Sequence, residues 1–289
     1  MNSICDLAFL PAGKPAAIEG VLSKKEVLLK NDGTNYLLVA LCDKSTTIEF
    51  PIWNNIDIAN EALEVGRAYK VEGTVDFYRE KLQIKFPKFY EIKDRDISEF
   101  IPSFDISQDD LDEFSGFVDA ISDDKYKSFA KACFDKKIGE KTVWELFQIA
   151  PAATRHHHNK LGGLFVHTFG MMKLLKATLA LYPDSSKINP DRLMVKVMLH
   201  DIMKIKEYTY PVIGRTKSKL DHLTLGITFI TTVNEEHQIL SDEELDNFCY
   251  GILSHHGKYG QYEPKTIEDD ILHSLDMIDS RMNTESRDE

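Results

Sequence analysis

Cysteine is scarce: the 289 residues hold four, at Cys5, Cys42, Cys133 and Cys249, with no CxxC pair. Such wide spacing excludes a disulfide framework or a clip of paired thiols, and fits the reduced thiols of a cytoplasmic protein. No run of about 18 apolar residues occurs. The greasiest stretch, 171–182, is interrupted by Lys173 and Lys176, so neither a membrane-spanning helix nor a membrane partner is expected. No Lys or Arg precedes Lys14, and Asp6 breaks the opening stretch, which argues against a secretory signal. Basic charge is short as well. Lys and Arg total 35 against 47 Asp and Glu, a formal net charge of -12. Binders that ignore nucleic-acid sequence usually carry a basic excess, so the whole-chain charge speaks against one. The deficit is uneven, however: residues 14–93 hold 12 basic and 12 acidic residues, so the acidic excess lies elsewhere. Hydrophobic residues make up 43% and charged residues 28%. That is ordinary for globular proteins and excludes a wholly disordered chain.

Residues 14–93 read as strands. Segments 18–30 and 36–42 flank Asn31-Asp32-Gly33-Thr34, a turn whose glycine accepts positive φ. Strand 46–53 follows, then one or two helical turns at 56–63, then a hairpin of 68–78 and 82–92 around Arg79-Glu80-Lys81. Three strands, a short helix and two strands is the order of an OB-fold barrel. Gly73, inside a strand, suits a bulge. The acidic stretch 94–112 reads as a linker. From 113 to 282 the periodicity is helical, with helices expected near 111–121, 125–134, 143–149, 163–182, 192–201, 222–234, 242–255 and 266–282. Residues 283–289 form a polar tail expected to be disordered. The fold class is therefore an all-β OB barrel at 14–93 followed by an all-α domain.

Histidine placement carries the chemical signal. His167 lies in the helix after Gly163, and His200-Asp201 ends the apolar run Val195-Lys196-Val197-Met198-Leu199. His222 opens a helix, His255-His256 follows Ile252-Leu253-Ser254, and Asp276 sits mid-helix. Buried His and Asp are costly unless paired or metal-bound. Imidazoles and carboxylates arriving from five elements suit a divalent transition metal, and a carboxylate can bridge two ions. His237 and His273 read as ordinary core or surface histidines. The run His156-His157-His158 before the Gly162-Gly163 turn either grips a phosphate at a helix N-terminus or is a polar surface loop. In the barrel, Tyr36, Phe50, Trp53, Phe77, Tyr78 and Phe86 accompany Lys70, Arg79, Lys81, Lys85 and Lys88. Most of these aromatics belong in a core. Tyr78 and Arg79, at the hairpin tip, are the surface candidates for base stacking.

His167, His200-Asp201 and Asp276 match the H…HD…D signature of HD-domain phosphohydrolases, and His222 with His255-His256 matches its dinuclear version. The local text Pro151-Ala152-Ala153, Gly162-Gly163-Leu164, His167-Thr168 and His200-Asp201-Ile202-Met203-Lys204, behind an OB-type segment, resembles the YhaM family of bacterial 3′→5′ exoribonucleases over about residues 14–282. The resemblance implies a first metal on His167, His200, Asp201 and Asp276, and a second on His222, His255 and His256, with Asp201 bridging. It implies two ions per chain, manganese foremost, with iron, cobalt or nickel as substitutes. It implies attack on phosphorus by a hydroxide bridging the metals. Lys204, one helical turn past the His-Asp pair, either reaches the same phosphate or is a solvated helix-end lysine, and His157 and His158 are the substrate candidates of the run that is otherwise a surface loop. The expected partner under the resemblance is single-stranded RNA or DNA, and homo-oligomers are compatible with it. Met203 stands where the family commonly has glycine, and would narrow the pocket beside the metals. Two other readings stay open: an HD phosphohydrolase of nucleotides or cyclic dinucleotides, and a non-enzymatic nucleic-acid-binding adaptor.

Overall fold

The computed structural model describes residues 3–30, 32–154, 158–182, 186–210 and 212–283. The chain divides into two compact units, 1–103 and 104–289.

The first unit is a five-stranded antiparallel barrel. Strands β1 (Pro15–Leu29), β2 (Asn35–Cys42) and β3 (Thr47–Ile52) precede helix α1 (Ile56–Ala62), and β4 (Ala68–Tyr78) and β5 (Lys81–Ile92) follow it. The sheet order is β3-β2-β1-β4-β5. Phe50 of β3 stacks on Phe89 of β5, with ring centroids 6.2 Å apart, so the two ends of that order meet across the core. Strand β1 is long enough to pair with both β2 and β4. The β4–β5 register shifts between Glu72 and Thr74, at Gly73. A Cβ on Gly73 would stand 2.3 Å from Ile84 Cγ2, so this bulge admits only glycine. Ile18, Leu37, Val39, Phe50, Val71 and Val75 fill the interior by period-2 alternation. The segment expected to link the domains contains a 3₁₀ turn, Ile97–Phe100, whose Phe100 is buried. Arg95 in the same segment pairs with Glu19 of β1 at 2.7 Å.

The second unit is helical. Helices α2 (Gln108–Asp119) and α3 (Asp124–Asp135) lead to a two-stranded ribbon, β6 (Lys137–Ile138) and β7 (Lys141–Thr142), and to α4 (Val143–Phe147). Helices α5 (Gly163–Leu181), α6 (Pro190–Leu199) and α7 (Lys204–Glu207) follow, then a second ribbon, β8 (Tyr208–Thr209) and β9 (Gly214–Arg215). Helices α8 (His222–His237), α9 (Asp242–Ser254) and α10 (Ile267–Met282) complete the unit. The helical periodicity held no sign of the two ribbons, because two-residue strands have no period to read. Helices α2, α4, α9 and α10 each begin with a capping box, Ser or Thr answered three residues on by Asp or Glu.

The core is aromatic on one side. Phe114 contacts Phe134, Trp144, Phe147, Phe165 and Phe169 at centroid separations of 5.4–6.4 Å. Truncating such a residue costs about 3–5 kcal/mol. Helix α5 is long and apolar enough to cross a bilayer. Its Leu164, Phe165, Phe169, Met171 and Met172 are nonetheless buried within this core. Met203 belongs to the same core and is 2% exposed, so its side chain is committed to packing.

Candidate metal centre

Helices α5, α6, α8, α9 and α10 each deliver part of one buried cluster. Entry to α5 is set by close backbone approach: a Cβ on Gly163 would lie 2.0 Å from the His158 carbonyl oxygen, which accepts from the Ala152 amide at 3.0 Å. One turn into α5, His167 points inward and is 3% exposed. Helix α6 begins with Pro190 and an Asn189 cap and ends at His200, so its C-terminus places His200 and Asp201 side by side. Asp221 caps α8 and makes His222 its first residue. His255 is the C-cap of α9.

Asp201 is the centre of the cluster. Its Oδ2 lies 3.3 Å from His200 Nε2 and 3.6 Å from His167 Nε2. Its Oδ1 lies 3.2 Å from His222 Nε2 and 3.6 Å from His255 Nε2. Asp276 Oδ1 is 3.4 Å from His167 Nε2. His256 joins His222 and His255 in a group whose ligand atoms all lie within 4.8 Å. The structure thus gathers His167, His200, Asp201, His222, His255, His256 and Asp276, with one Asp201 oxygen toward each half.

The imidazole tautomers follow from the outer contacts. A carbonyl can only accept, so His200 Nδ1 donates to Val197 O at 2.8 Å and His255 Nδ1 donates to Ile252 O at 2.8 Å. His222 Nδ1 donates to Glu207 Oε2 at 2.5 Å, and His167 Nδ1 donates to Asp279 Oδ2 at 2.7 Å. With Nδ1 so committed, His200, His222 and His255 turn Nε2 toward Asp201, and His167 offers its Nε2 lone pair once that nitrogen gives up its proton. Among the described residues, Asp201 Oδ1 and His222 Nε2 are buried without a hydrogen-bond partner. Lone pairs facing lone pairs are satisfied by a cation, and the donor set of neutral imidazoles around a carboxylate fits a divalent transition metal.

Burial and these pairings set the charges of the cluster. Burial would raise the Asp201 carboxyl, but Lys204, His200 and His222 overcome it and hold Asp201 well below the usual carboxylate range. Burial likewise opposes Asp276, whose hydrogen bond to His167 keeps it depressed. Burial alone would lower the His167 imidazole, but Asp276 and Asp279 push it up to about 9. Burial drives His255 well below the ordinary histidine value and also lowers His256. Lys204, one turn past the His-Asp pair, sets its ammonium 2.5 Å from Asp201 Oδ2. Burial opposes its charge, and Asp201 raises its pKa nevertheless.

With this geometry in place, the comparisons with known proteins are informative. Residues 164–281 match the HD domain family model, and residues 16–92 match the OB-fold nucleic acid binding domain model. The chain is 30% identical over 273 residues to the 3′-5′ exoribonuclease YhaM of Bacillus subtilis, covering 90% of this chain and 82% of that protein. It is 29% identical to the protein of the same name from a Geobacillus strain, covering 88% of this chain and 79% of the relative. A Listeria welshimeri relative of that name is 28% identical, with 88% and 81% covered. The chain belongs to the YhaM family. Its architecture is the OB-fold barrel followed by the helical HD domain, and it is an enzyme of the HD class of metal-dependent phosphohydrolases.

Not every residue singled out from the sequence stands where expected. His157 lies outside the described residues. His158 does not face substrate: it is 4% exposed, and its Nε2 hydrogen-bonds Asp279 Oδ2 at 2.8 Å. Burial opposes Asp279, yet its bonds to His158 and His167 bring it down to about 2. Asp279 and Glu207 were both missed in the sequence, and both hold the Nδ1 side of a cluster histidine. Asp279 had a signal, since it sits three residues after Asp276 and so on the same face of α10. Glu207 had none, because its link to His222 spans 15 residues and a ribbon.

In the barrel, Arg79 and Glu80 adopt φ of 48° and 65° and make a two-residue hairpin turn. Tyr78 is exposed beneath the Arg79 guanidinium, 5.3 Å from the ring centroid. The expectation that most of the barrel aromatics are core fails: Phe50 is buried, but Trp53, Phe77 and Phe86 are exposed like Tyr78, with Lys30 4.7 Å above the Trp53 ring.

Proposed function

We propose that the chain is a divalent-metal-dependent phosphodiesterase that shortens single-stranded RNA from its 3′ end, and that also accepts single-stranded DNA. The observation that carries the metal-dependent chemistry is Asp201, whose two oxygens face separate sets of bare histidine nitrogens. The direction and the RNA substrate rest on the relatives, which carry the name 3′-5′ exoribonuclease.

His167, His200, Asp201 and Asp276 would hold one ion, and Asp201, His222, His255 and His256 a second. Imidazole-rich ligation favours manganese, iron, cobalt or nickel over magnesium. When bound, such ions acidify an attacking water and neutralise charge on the scissile phosphate. The remaining work falls to the chain. Val197 O, Ile252 O, Glu207 and Asp279 fix the four imidazoles so that no ring must reorient when substrate arrives. Lys204 Nζ, beside Asp201 and partly open to solvent, donates to a non-bridging phosphate oxygen. The barrel holds the strand through base stacking on exposed rings and through lysine contacts to phosphate.

A barrel of the nucleic-acid-binding type favours a polymer over a nucleotide or cyclic dinucleotide as substrate. The test is a 20-nucleotide RNA labelled at its 5′ end and incubated with the protein and Mn²⁺. A ladder of progressively shorter labelled products is expected, together with its loss under a chelator. Immediate appearance of labelled mononucleotide, or of one internal fragment, contradicts trimming from the 3′ end.

A further inference from the structure

The acidic charge of the second unit is not spread evenly. Residues 104–289 hold 22 Lys and Arg against 31 Asp and Glu, yet within 204–219 five basic residues accompany a single carboxylate, Glu207. That carboxylate is turned inward. Its Oε2 accepts from the His222 amide at 3.0 Å as well as from the His222 ring, and its Oε1 meets Arg215 Nη1 at 3.2 Å. Arg215 is 69% exposed. One carboxylate therefore ties an exposed guanidinium directly to a histidine of the metal centre. Lys206, Lys217 and Lys219 are exposed on the same segment. Its register is fixed by Tyr208 paired with Arg215 and by the Thr216 amide donating to Glu207 O.

An exposed aromatic borders the same half of the centre. His256 packs against His222, with ring centroids 5.3 Å apart. The 3₁₀ turn Gly257–Tyr259 follows at once, and the Tyr259 amide donates to His256 O. Tyr259 is 67% exposed and lies beside Lys258 Nζ, 5.2 Å from its ring centroid. On the opposite half, among the described residues, Asp279 and His158 are buried beyond His167, and the half-buried Phe104 ring, with Lys160 Nζ 5.8 Å from its centroid, packs on His158.

We propose that the polynucleotide reaches the metal centre over the His222–His256 side, with a base near its 3′ end stacked on Tyr259 and upstream phosphates on Arg215, Lys217 and Lys219. This rests on the reading of the chain as a nuclease of single strands. Charge complementarity selects the ligand, because exposed cations next to a phosphodiester site, within an otherwise acidic unit, match the next phosphates of the same strand. A neutral or small substrate would make no use of them. Stacking on Tyr259 explains how bases of any kind are held, since every base has a π face.

The experiment uses the full-length, Mn²⁺-loaded protein and a 20-nucleotide RNA. KM is measured at 50 and 200 mM salt, and bis-p-nitrophenyl phosphate hydrolysis reports on the centre itself in each variant. Each lost phosphate contact on a single strand lowers the logarithmic salt slope by about 0.7. Lys217→Gln with Lys219→Gln should therefore flatten it by about 1.4 and shrink the KM change across that salt range about seven-fold. Lys217→Arg with Lys219→Arg should restore the slope. Tyr259→Ala should raise the RNA KM by roughly 5- to 150-fold and Tyr259→Phe should not, because stacking needs the ring and not the hydroxyl. If RNA is still trimmed while both the double Gln variant and Tyr259→Ala keep the unmutated KM and salt slope, the strand takes another route and the proposal is overturned. If the unmutated protein hydrolyses the small diester but leaves RNA whole, the nuclease reading itself fails, and the strand path with it.

Discussion

Asp201 faces two different neighbourhoods. On its Oδ2 side, His167 and His200 are sealed in. Asp279 braces His167 from behind, and His158 braces Asp279 in turn. On its Oδ1 side, His222 and His255 are equally well anchored, but His256 is only half buried and the rim carries Arg215 and Tyr259. The two sides divide the tasks. On the proposed reading, the closed side would hold an ion deep in the helical unit, while the open side would combine ligands with access for a polyanion. Both sides use the same local device, an imidazole whose Nδ1 is committed to a backbone carbonyl or a carboxylate so that Nε2 stays bare.

The largest effect should come from removing what the two sides share. Asp201→Ala should release both ions and abolish hydrolysis, while far-ultraviolet circular dichroism keeps its helical shape. Elemental analysis is the check, and near-normal turnover with bound metal would break the picture of a shared carboxylate. Next in size is Lys204→Ala. Loss of one donor to developing negative charge costs about 10²–10³ in kcat. Metal content should stay unchanged and Lys204→Arg should recover part of the rate. An unaltered kcat would return Lys204 to a purely structural partner of Asp201.

The sharpest contrast between the sides comes from their braces. Asp279→Asn should weaken metal binding about 10- to 100-fold at the closed side alone, and Glu207→Gln should do the same at the open side alone. Metal titrations should show one weakened site in each variant. If either substitution weakens both sites equally, the two halves are not independent.

These braces also mark how far the sequence could be read. The strand order of the barrel followed from alternation and turn residues such as Asp32-Gly33. The gathering of His167, His200, Asp201, His222, His255, His256 and Asp276 could be anticipated because His and Asp beside runs such as Val195–Leu199 are out of place in a core. Glu207 could not be found that way. It is one more acidic residue near the end of a helix, and its role appears only when the β8–β9 ribbon folds it onto His222. His158 misled for a related reason: three successive histidines look like a polar grip, while the left-handed conformation of His158, φ 60°, accompanies a side chain directed onto Asp279.

The smallest effect concerns a carboxylate outside the centre. Glu244 completes the α9 capping box and bonds Lys125 of α3. Burial opposes its charge, but Lys125 and Ser241 bring it down to about 2. A depressed pKa means that its contribution is full above the ordinary glutamate value and fades as pH falls through about 2. Glu244→Gln should therefore cost about 1 kcal/mol at pH 7, and the gap to the unmutated protein should close on acidification below about pH 4. Chemical denaturation at several pH values measures this. Metal content and RNA trimming at pH 7 should be unaffected, which separates fold-holding carboxylates from those at the centre.

On the proposed reading, Asp201 joins two metal sites. This is tested most directly by anomalous scattering from crystals soaked in Mn²⁺. Two peaks about 3.5–4 Å apart are expected, one at each Asp201 oxygen, with the peak beside His222 lost in His255→Ala. A single peak in the unmutated protein under Mn²⁺ excess, or two peaks of which one does not touch Asp201, would contradict it.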